Sequence, residues 1–257
     1  MAHRSRLAGF IIDCQGRPLA EAARFWSDAL GLPVVDPDEG GDGRYAVLAP
    51  AAAGLHLEVQ VVEHPSRLHL DIEARDIEAE VARLTTLGAV EASRPKHNRW
   101  VVMQAPTGHR FCVIAWRERE AASPVVAMPN PKHRSALIAF VLDCQVNDLD
   151  VAAVFWSAAL HRTIANRDQD GDGKYAELET APDEPFLLLQ KVEHDPRVHL
   201  DIETDDLDAE VARLEALGAH RLNFINRWWV LQAPTGHRFC VVRQQPGKGG
   251  IAHNSWN

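Results

Sequence analysis

Short apolar runs and amphipathic stretches follow one another along this chain in a regular order. Residues Leu7–Asp13 form an apolar run that ends in an acid, which predicts a strand. Across Leu19–Leu30 the apolar residues fall at helical spacing, and Gly31 stands where such a helix ends. The stretches Tyr45–Leu48 and Leu55–Val62 have the composition of strands.

The same order of elements then starts again. Leu68–Ile72 is predicted to be a strand, and Ile77–Leu87 a helix that ends before Gly88. Two further strands are predicted at Trp100–Gln104 and Arg110–Ile114. The pattern therefore predicts a βαβββ unit that occurs twice in the first half of the chain.

This two-unit pattern recurs in the second half. The sequence APTGHRFCV stands at Ala105–Val113 and again at Ala233–Val241, and both HLDIE and AEVARL are also repeated. The repeat predicts four units in two domains. A stretch rich in Pro, Ala and Ser separates the copies, and the C-terminal stretch has no periodic pattern.

The predicted boundaries follow directly: a first domain at 1–118, a linker at 119–135, a second domain at 136–243 and a flexible tail at 244–257.

Composition and charge narrow the classes of function. The chain has 257 residues, with 27 Lys and Arg against 36 Asp and Glu, for a net charge of −9. Nucleic acids and anionic membranes require clustered positive charge, so neither is expected as a partner. No apolar run approaches the roughly 20 residues of a membrane span, and the N-terminal apolar run is too short for a secretory signal. We therefore expect a cytoplasmic protein with free thiols.

Three sequence motifs, with their second-copy partners, resemble the vicinal oxygen chelate superfamily, which includes glyoxalases, bleomycin-resistance proteins and extradiol dioxygenases. They are FWSDALGLP at Phe25–Pro33, RLHLDIEARDIEAEVARLTTLGA at Arg67–Ala89 and WVVMQAPTGHRFCV at Trp100–Val113. The resemblance is closest to the glyoxalase-like domain branch. It implies an α+β fold in which four βαβββ units form two tandem glyoxalase-like domains with cup-shaped mixed sheets.

The resemblance also implies positions for a divalent metal. Metal-dependent relatives use His or Gln on the first strand of a unit and Glu on the last strand. His69 and His199 match the first-strand position, whereas the other units have Ile11 and Val141 there. We therefore predict no cofactor, with a divalent metal as the open alternative and the two histidines as its candidate ligands.

The last-strand glutamate position is occupied by Cys112 and Cys240, which we treat as candidate ligand-binding residues. Gln60 and Gln190, on the last strand of the first βαβββ unit of each copy, could contribute an oxygen.

Strand alternation adds further candidates. His69, Asp71 and Glu73 share one face of their predicted strand. If the protein is catalytic, His69 and His199 are the candidate general bases, and Asp71 and Asp201 would orient them.

Two further pairs of residues in the repeat carry expectations. Trp100 and Trp228 begin a strand and could either pack in the core or line a ligand cup. His109 and His237 lie in a P-T-G-H turn and are expected on the surface.

Three hypotheses for function remain open at this point. The first is a small-molecule-binding protein of glyoxalase-like type, acting as a sequestering (resistance) protein or as a lyase or isomerase. The second is a divalent-metal-dependent lyase or dioxygenase, and the third is a non-catalytic partner-binding module. The duplication is compatible with a monomer that forms an internal pseudo-dimer and with a homodimer.

Overall fold

The computed structural model describes residues 3–52, 55–96, 99–117, 131–167, 173–244 and 251–257. The first copy contains β1 (Ser5–Gln15), α1 (Leu19–Leu30), β2 (Val34–Asp36), β3 (Tyr45–Ala52), β4 (Leu55–Val62), β5 (Arg67–Ala74), α2 (Ile77–Thr86), β6 (Val90–Ser93), β7 (Trp100–Gln104) and β8 (Arg110–Ala115). The second contains β9 (His133–Cys144), α3 (Leu149–Leu160), β10 (Ile164–Arg167), β11 (Tyr175–Leu178), β12 (Phe186–Lys191), β13 (Arg197–Thr204), α4 (Leu207–Ala216), β14 (His220–Ile225), β15 (Trp228–Gln232) and β16 (Arg238–Arg243). A last strand, β17, spans Asn254–Trp256. The four predicted βαβββ units are confirmed.

Each copy builds one cup from its own two units. In the first copy, β1 pairs parallel with β4, β5 pairs parallel with β8, and β1 pairs antiparallel with β5. The remaining strands extend this sheet on both sides, in the order β2-β3-β4-β1-β5-β8-β7-β6. The second copy repeats these pairings. The strand pairing therefore places each cup within one copy.

Helices α1 and α3 lie between the two copies. Trp26 on α1 is fully buried, and its ring lies edge-on to His237 and Phe239 of the second copy. Trp156 on α3 makes the equivalent contacts with the first copy. A helix buried on two sides needs apolar residues over much of its surface, and the two tryptophans fill the space between the sheets.

Paired arginines fix these helices at their ends. Arg83 on α2 donates to the main-chain oxygens of Ala158 and Ala159 at the end of α3, at 2.8 Å each. Arg213 on α4 does the same at the end of α1. The last carbonyls of a helix have no partner within it, so each arginine joins the copies by satisfying them.

Two histidines expected on the surface are instead buried between the copies. His109 and His237 are each 4% exposed. Their Nε2 atoms lie 3.1 Å from the main-chain oxygens of Arg197 and Arg67, each on the opposite copy. The surface prediction is wrong, because the turn lies at the surface of its own domain but faces the other domain.

The C-terminal tail and the linker also differ from the prediction. Strand β17 pairs antiparallel with the beginning of β9, and Trp256 donates to the Ser135 hydroxyl at 2.8 Å. The predicted linker ends inside β9, which already begins at His133, whereas residues 119–130 lie outside the described residues. Polar residues held by specific hydrogen bonds form β17 and the beginning of β9, and periodicity does not detect such residues. None of the helices in the described ranges is long and apolar enough to cross a membrane.

Candidate functional site in each cup

Alternation along β5 and β13 decides which side chains face each cup. Leu70 and Ile72 of β5 join the core beneath the helices. His69 and Asp71 therefore lie on the opposite face, towards the cup, as the sequence predicted. Both residues are only 7% exposed, so they form the buried floor of the cup.

A buried carboxylate accepts a hydrogen bond from each cup histidine on the side of the ring that faces away from the cup. Asp13 of β1 accepts a hydrogen bond from His69 Nδ1 at 2.9 Å and another from Arg67 Nε at 3.1 Å. In the second copy Asp143 accepts from His199 Nδ1 at 3.0 Å. This contact exists because β1 and β5 pair antiparallel, which brings two residues far apart in sequence onto neighbouring strands. It fixes the ring and leaves Nε2 to face the cup.

The Nε2 atom of each histidine faces an aspartate and a cysteine. His69 Nε2 lies 3.5 Å from Asp71 Oδ1, and His199 Nε2 lies 3.4 Å from Asp201 Oδ1. The potential ligand atoms of His69, Asp71 and Cys112 all lie within 4.8 Å of one another, as do those of the matching residues in the second copy. The Oδ1 atom of Asp71 is buried without a hydrogen-bond partner.

Electrostatics keep the two cup histidines charged. Burial lowers the pKa of His69, but Cys112 and the neighbouring carboxylates of Asp13 and Asp71 outweigh it and hold the pKa well above its ordinary value. The balance is the same for His199. Burial, followed by the charge of Asp71, raises the pKa of the Cys112 thiol.

A cavity of about 790 Å³ opens in the second cup. Its lining includes the candidate site residues that the sequence predicted in the second copy: His199, Asp201, Gln190, Trp228 and Cys240. Apolar side chains that include Phe186, Leu188 and Val230 form much of the wall. The structure thus brings the predicted residues together around one space, and their individual roles remain predictions.

The two glutamines each contact a tyrosine on the neighbouring strand. Gln60 donates to the Tyr45 hydroxyl at 2.7 Å, and Gln190 donates to the Tyr175 hydroxyl at 3.3 Å. Trp100 alternates with the buried residues of β7 and is therefore placed on the cup side of the first copy.

Sequence reasoning missed two cup residues of the first copy. His56 and Glu58 alternate with Gln60 along β4, so all three face the first cup. The alternation in HLEVQ was the signal that could have identified them. The second copy has Phe186 and Leu188 at these two positions, so the cups differ in chemistry.

Glu58 is buried among other charges. Burial, followed by the charges of Glu39 and Asp71, raises its pKa to about 7 despite the nearby Arg117 guanidinium, which lies 3.2 Å from Glu58 Oε1.

Sequence comparison decides the family. A model of the glyoxalase-like domain matches residues 9–114 and again residues 139–242, which together cover most of the chain. This chain belongs to the glyoxalase-like domain family. The predicted membership of the vicinal oxygen chelate superfamily, with two tandem domains, is confirmed. No curated protein was found to match the sequence.

Solved structures share the fold at low sequence identity. The Mn(II)-bound glyoxalase from Novosphingobium aromaticivorans is 16% identical, with a TM-score of 0.61 over 98% of this chain and 85% of that one. The 2,3-dioxygenase LapB from Pseudomonas sp. KL28 is 14% identical, with a TM-score of 0.59 over 93% of this chain and 92% of its own. Homoprotocatechuate 2,3-dioxygenase from Arthrobacter globiformis is 16% identical, with a TM-score of 0.59 over 96% and 83%. At these identities the similarity establishes the fold alone.

The floor of each cup in this glyoxalase-like protein fits a divalent metal in its donor types. A histidine nitrogen, a carboxylate oxygen and a sulfur converge in each cup, and this mixture suits a transition-metal ion. The unpartnered Oδ1 of Asp71 is an oxygen that a cation would satisfy. The hydrogen bond that His69 Nδ1 donates to Asp13 resembles the outer support of many metal-ligating histidines. Ile11 and Val141 contribute no ligand.

Proposed function

We propose that the second cup binds a small organic molecule with an apolar body and a negatively charged or enolisable oxygen. The cavity of about 790 Å³ above the His199 floor is the observation that carries this proposal. Its volume falls within the range of roughly 300–1,000 Å³ that is typical of small-molecule sites. Such sites combine mainly apolar walls with a few fixed polar groups, which describes this cup.

The charged side chains of the second cup favour one class of ligand. His199 is held in its charged form, with Nδ1 bound to Asp143 and Nε2 towards the cavity, where it can donate a hydrogen bond. The cavity lining also includes Lys174, Arg197, Arg227, Arg238 and Arg243, which outnumber its acids Asp143, Glu177, Asp201 and Glu203. These positive groups favour a ligand oxygen that carries or develops negative charge.

Two activities are compatible with this binding mode. A sequestering or resistance protein would need only the binding itself. A lyase or isomerase would need a proton donor at the reacting oxygen, and His199 Nε2 supplies one. Because the charged form of His199 is the resting form, it would act first as a general acid, whereas the sequence suggested a general base.

A second candidate function is a divalent-metal-dependent lyase or dioxygenase reaction. The observation that favours it is the convergence of a histidine, an aspartate and a cysteine in each cup. His69, Asp71 and Cys112 would hold the ion in the first cup, and their counterparts would hold it in the second. A bound divalent metal supplies Lewis acidity that polarises substrate oxygens.

Thermal shift and calorimetric titration test the binding proposal. The probes are aromatic and aliphatic carboxylates, each compared with its neutral amide. We expect the carboxylates to raise the melting temperature, since a ligand that binds only the folded state stabilises it. Val230→Trp fills the second cup and should abolish binding, whereas Val102→Trp places the same side chain in the first cup and should leave binding unchanged. Equal binding by both variants, or no carboxylate that stabilises the protein, would overturn the proposal.

A further inference from the structure

We infer that the C-terminal segment at residues 251–256 completes the second cup, and that Ile251 and His253 determine which carboxylates the cup binds. This inference rests on the ligand binding proposed above, and it extends that site to residues outside both domains. It also narrows the ligand class to carboxylates that carry an unbranched apolar chain of limited length.

The apolar wall of the second cup is supported by the C-terminal segment. Three residues of β9 form a cluster apart from the main core, and four further side chains pack against it: Ile138, Ala139 and Val141, with Phe186, Leu188, Val242 and Ile251. Every member of this group except Ile251 lines the cavity. Ile251 therefore supports the apolar wall from outside the cavity.

A β-bulge in β9 places Ile138 in this wall. The pairing of β9 with β13 passes from Ala139 and Asp201 to Leu137 and Ile202, which leaves Ile138 as the extra residue. Ile138 lines the cavity. The first copy has the same bulge with Ala8 in this position, so the second cup has the larger apolar side chain in the cluster against which Ile251 packs.

The same segment supplies a polar partner to a buried acid of the cup. Glu203 is 3% exposed and lines the cavity, and its Oε1 atom lies 3.1 Å from His253 Nε2. A buried carboxylate is costly unless a donor or a cation compensates it. In the first copy, Arg6 on β1 pairs with the equivalent acid, Glu73.

The second copy has no arginine at the position of Arg6. Ala136 of β9 stands opposite Glu203 in the register where Arg6 of β1 stands opposite Glu73. His253 therefore takes the place of Arg6, although it comes from outside the repeat. A partner supplied exactly where the repeat lacks one indicates that the segment is part of the second cup.

The position of the segment limits the length of the ligand. His199 and Glu203 lie on the same face of β13, and about 13 Å separates them along the strand. A chain that leaves His199 in this direction passes Phe186, which lies beside Ala139, and reaches Ile138. Each methylene group placed along this wall should raise the affinity roughly fourfold until the chain reaches the end of the cup.

Calorimetric titration of the full chain with straight-chain carboxylates, from butanoate to decanoate, tests this inference. For the wild type, we expect the affinity to rise with chain length and then to stop rising. Ile251→Ala should move this limit to a longer carboxylate, because Ile138 can then shift outwards.

The role of His253 is tested with octanoate. His253→Ala should weaken octanoate binding about tenfold, since Glu203 then places an uncompensated negative charge near the ligand. Ala136→Arg, added to His253→Ala, installs the arrangement of the first copy and should restore most of the affinity. The matched control is Arg6→Ala, which removes the equivalent partner in the first cup and should leave octanoate binding unchanged.

The Val230→Trp variant separates this inference from the binding proposal, and circular dichroism and the urea midpoint establish that each variant is folded. Suppose that carboxylates bind the wild type but not Val230→Trp, while Ile251→Ala and His253→Ala change only the urea midpoint. The segment would then be purely structural, and this inference alone would be overturned. No binding by the wild type, or binding that persists in Val230→Trp, would overturn the binding proposal and this inference with it.

Discussion

Acidification below pH 6.5 should loosen the contact between the two copies by protonating His109 and His237. Each histidine donates from Nε2 to a main-chain oxygen of the opposite copy, and a carbonyl can only accept, so Nε2 carries a proton. Each Nδ1 lies 2.9 Å from the hydroxyl of the threonine two residues earlier. In the Thr107 pair this hydroxyl also accepts from Trp156, so it donates to His109 Nδ1. Protonation of Nδ1 would break this arrangement in a buried interface.

The size of the change in unfolding free energy follows from the burial of the two imidazole rings. Burial lowers the pKa of His109 and of His237 from 6.5 to about 4 in the folded state. A folded-state pKa below the unfolded value means that the neutral form is the stabilising one. The contribution is therefore complete above pH 6.5 and is lost as the pH falls towards 4. Each histidine accounts for roughly 3 kcal/mol of unfolding free energy over that window, so the pair approaches the total stability of an ordinary domain.

One buried acid acts in the opposite direction over part of this window. The folded-state pKa of Glu58, about 7, lies above its ordinary value of 4.5, so acidification from pH 7 to 4.5 relieves a destabilising buried charge. This gain offsets about one histidine in the wild-type curve. The pH dependence of the wild type alone is therefore not sufficient, and the difference from a histidine variant is the quantity to measure.

Urea unfolding of wild type and of His109→Gln/His237→Gln between pH 7.5 and 4.5 provides that difference. Glutamine keeps an amide donor for the carbonyl but does not titrate. We expect the wild-type advantage to shrink by several kcal/mol as the pH falls, or to change sign. His220→Gln, at an exposed position, serves as the control and should track the wild type. Parallel curves for wild type and double variant would refute the assigned role of these rings.

Three further predictions concern the scaffold. Arg83→Ala should cost roughly 3 kcal/mol in urea unfolding, because it removes the guanidinium partner of the buried Glu80 and the cap of the opposite helix. Deletion of residues 245–257 should cost at least about 2 kcal/mol, seen as a lower melting temperature, because it removes the β17 hydrogen bonds. Cys14 and Cys144, whose pKa values burial raises to about 12, should resist a thiol reagent at pH 8 until urea unfolds the chain.

The sequence was sufficient to predict the four βαβββ units and to predict which side chains of their strands face the cup. Period-two alternation in HLDIE placed His69 and Asp71 on the cup side, because the direction of a strand side chain depends only on its position in the strand. The partner of His69 was not predictable in this way. Asp13 was identified only as the acid that ends a predicted strand, since its contact with His69 depends on the register between β1 and β5, which no local pattern reveals.

The contacts between the two copies could not be predicted from the sequence for the same reason. The P-T-G-H turn has the composition of a surface turn, and only the docking of the second copy buries His109. The tail strand depends on individual bonds, such as that between Asn254 Nδ2 and the main-chain oxygen of Leu30 at 2.9 Å. Single long-range hydrogen bonds leave no periodic signal in a sequence.

The repeat itself separates scaffold from function within one chain. Several groups that join the two copies are the same in both, as Arg83 and Arg213 illustrate by capping opposite helices with matching bonds of 2.8 Å. The side chains that face the cups differ between the copies. Phe186 and Leu188 stand where the first copy has His56 and Glu58, so a charged wall in the first cup is apolar in the second. Because each cup is built within its own copy, such a change alters one cup without disturbing the interface. A chain built in this way can hold two different ligands on one scaffold, which is why each variant of one cup has its matched control in the other.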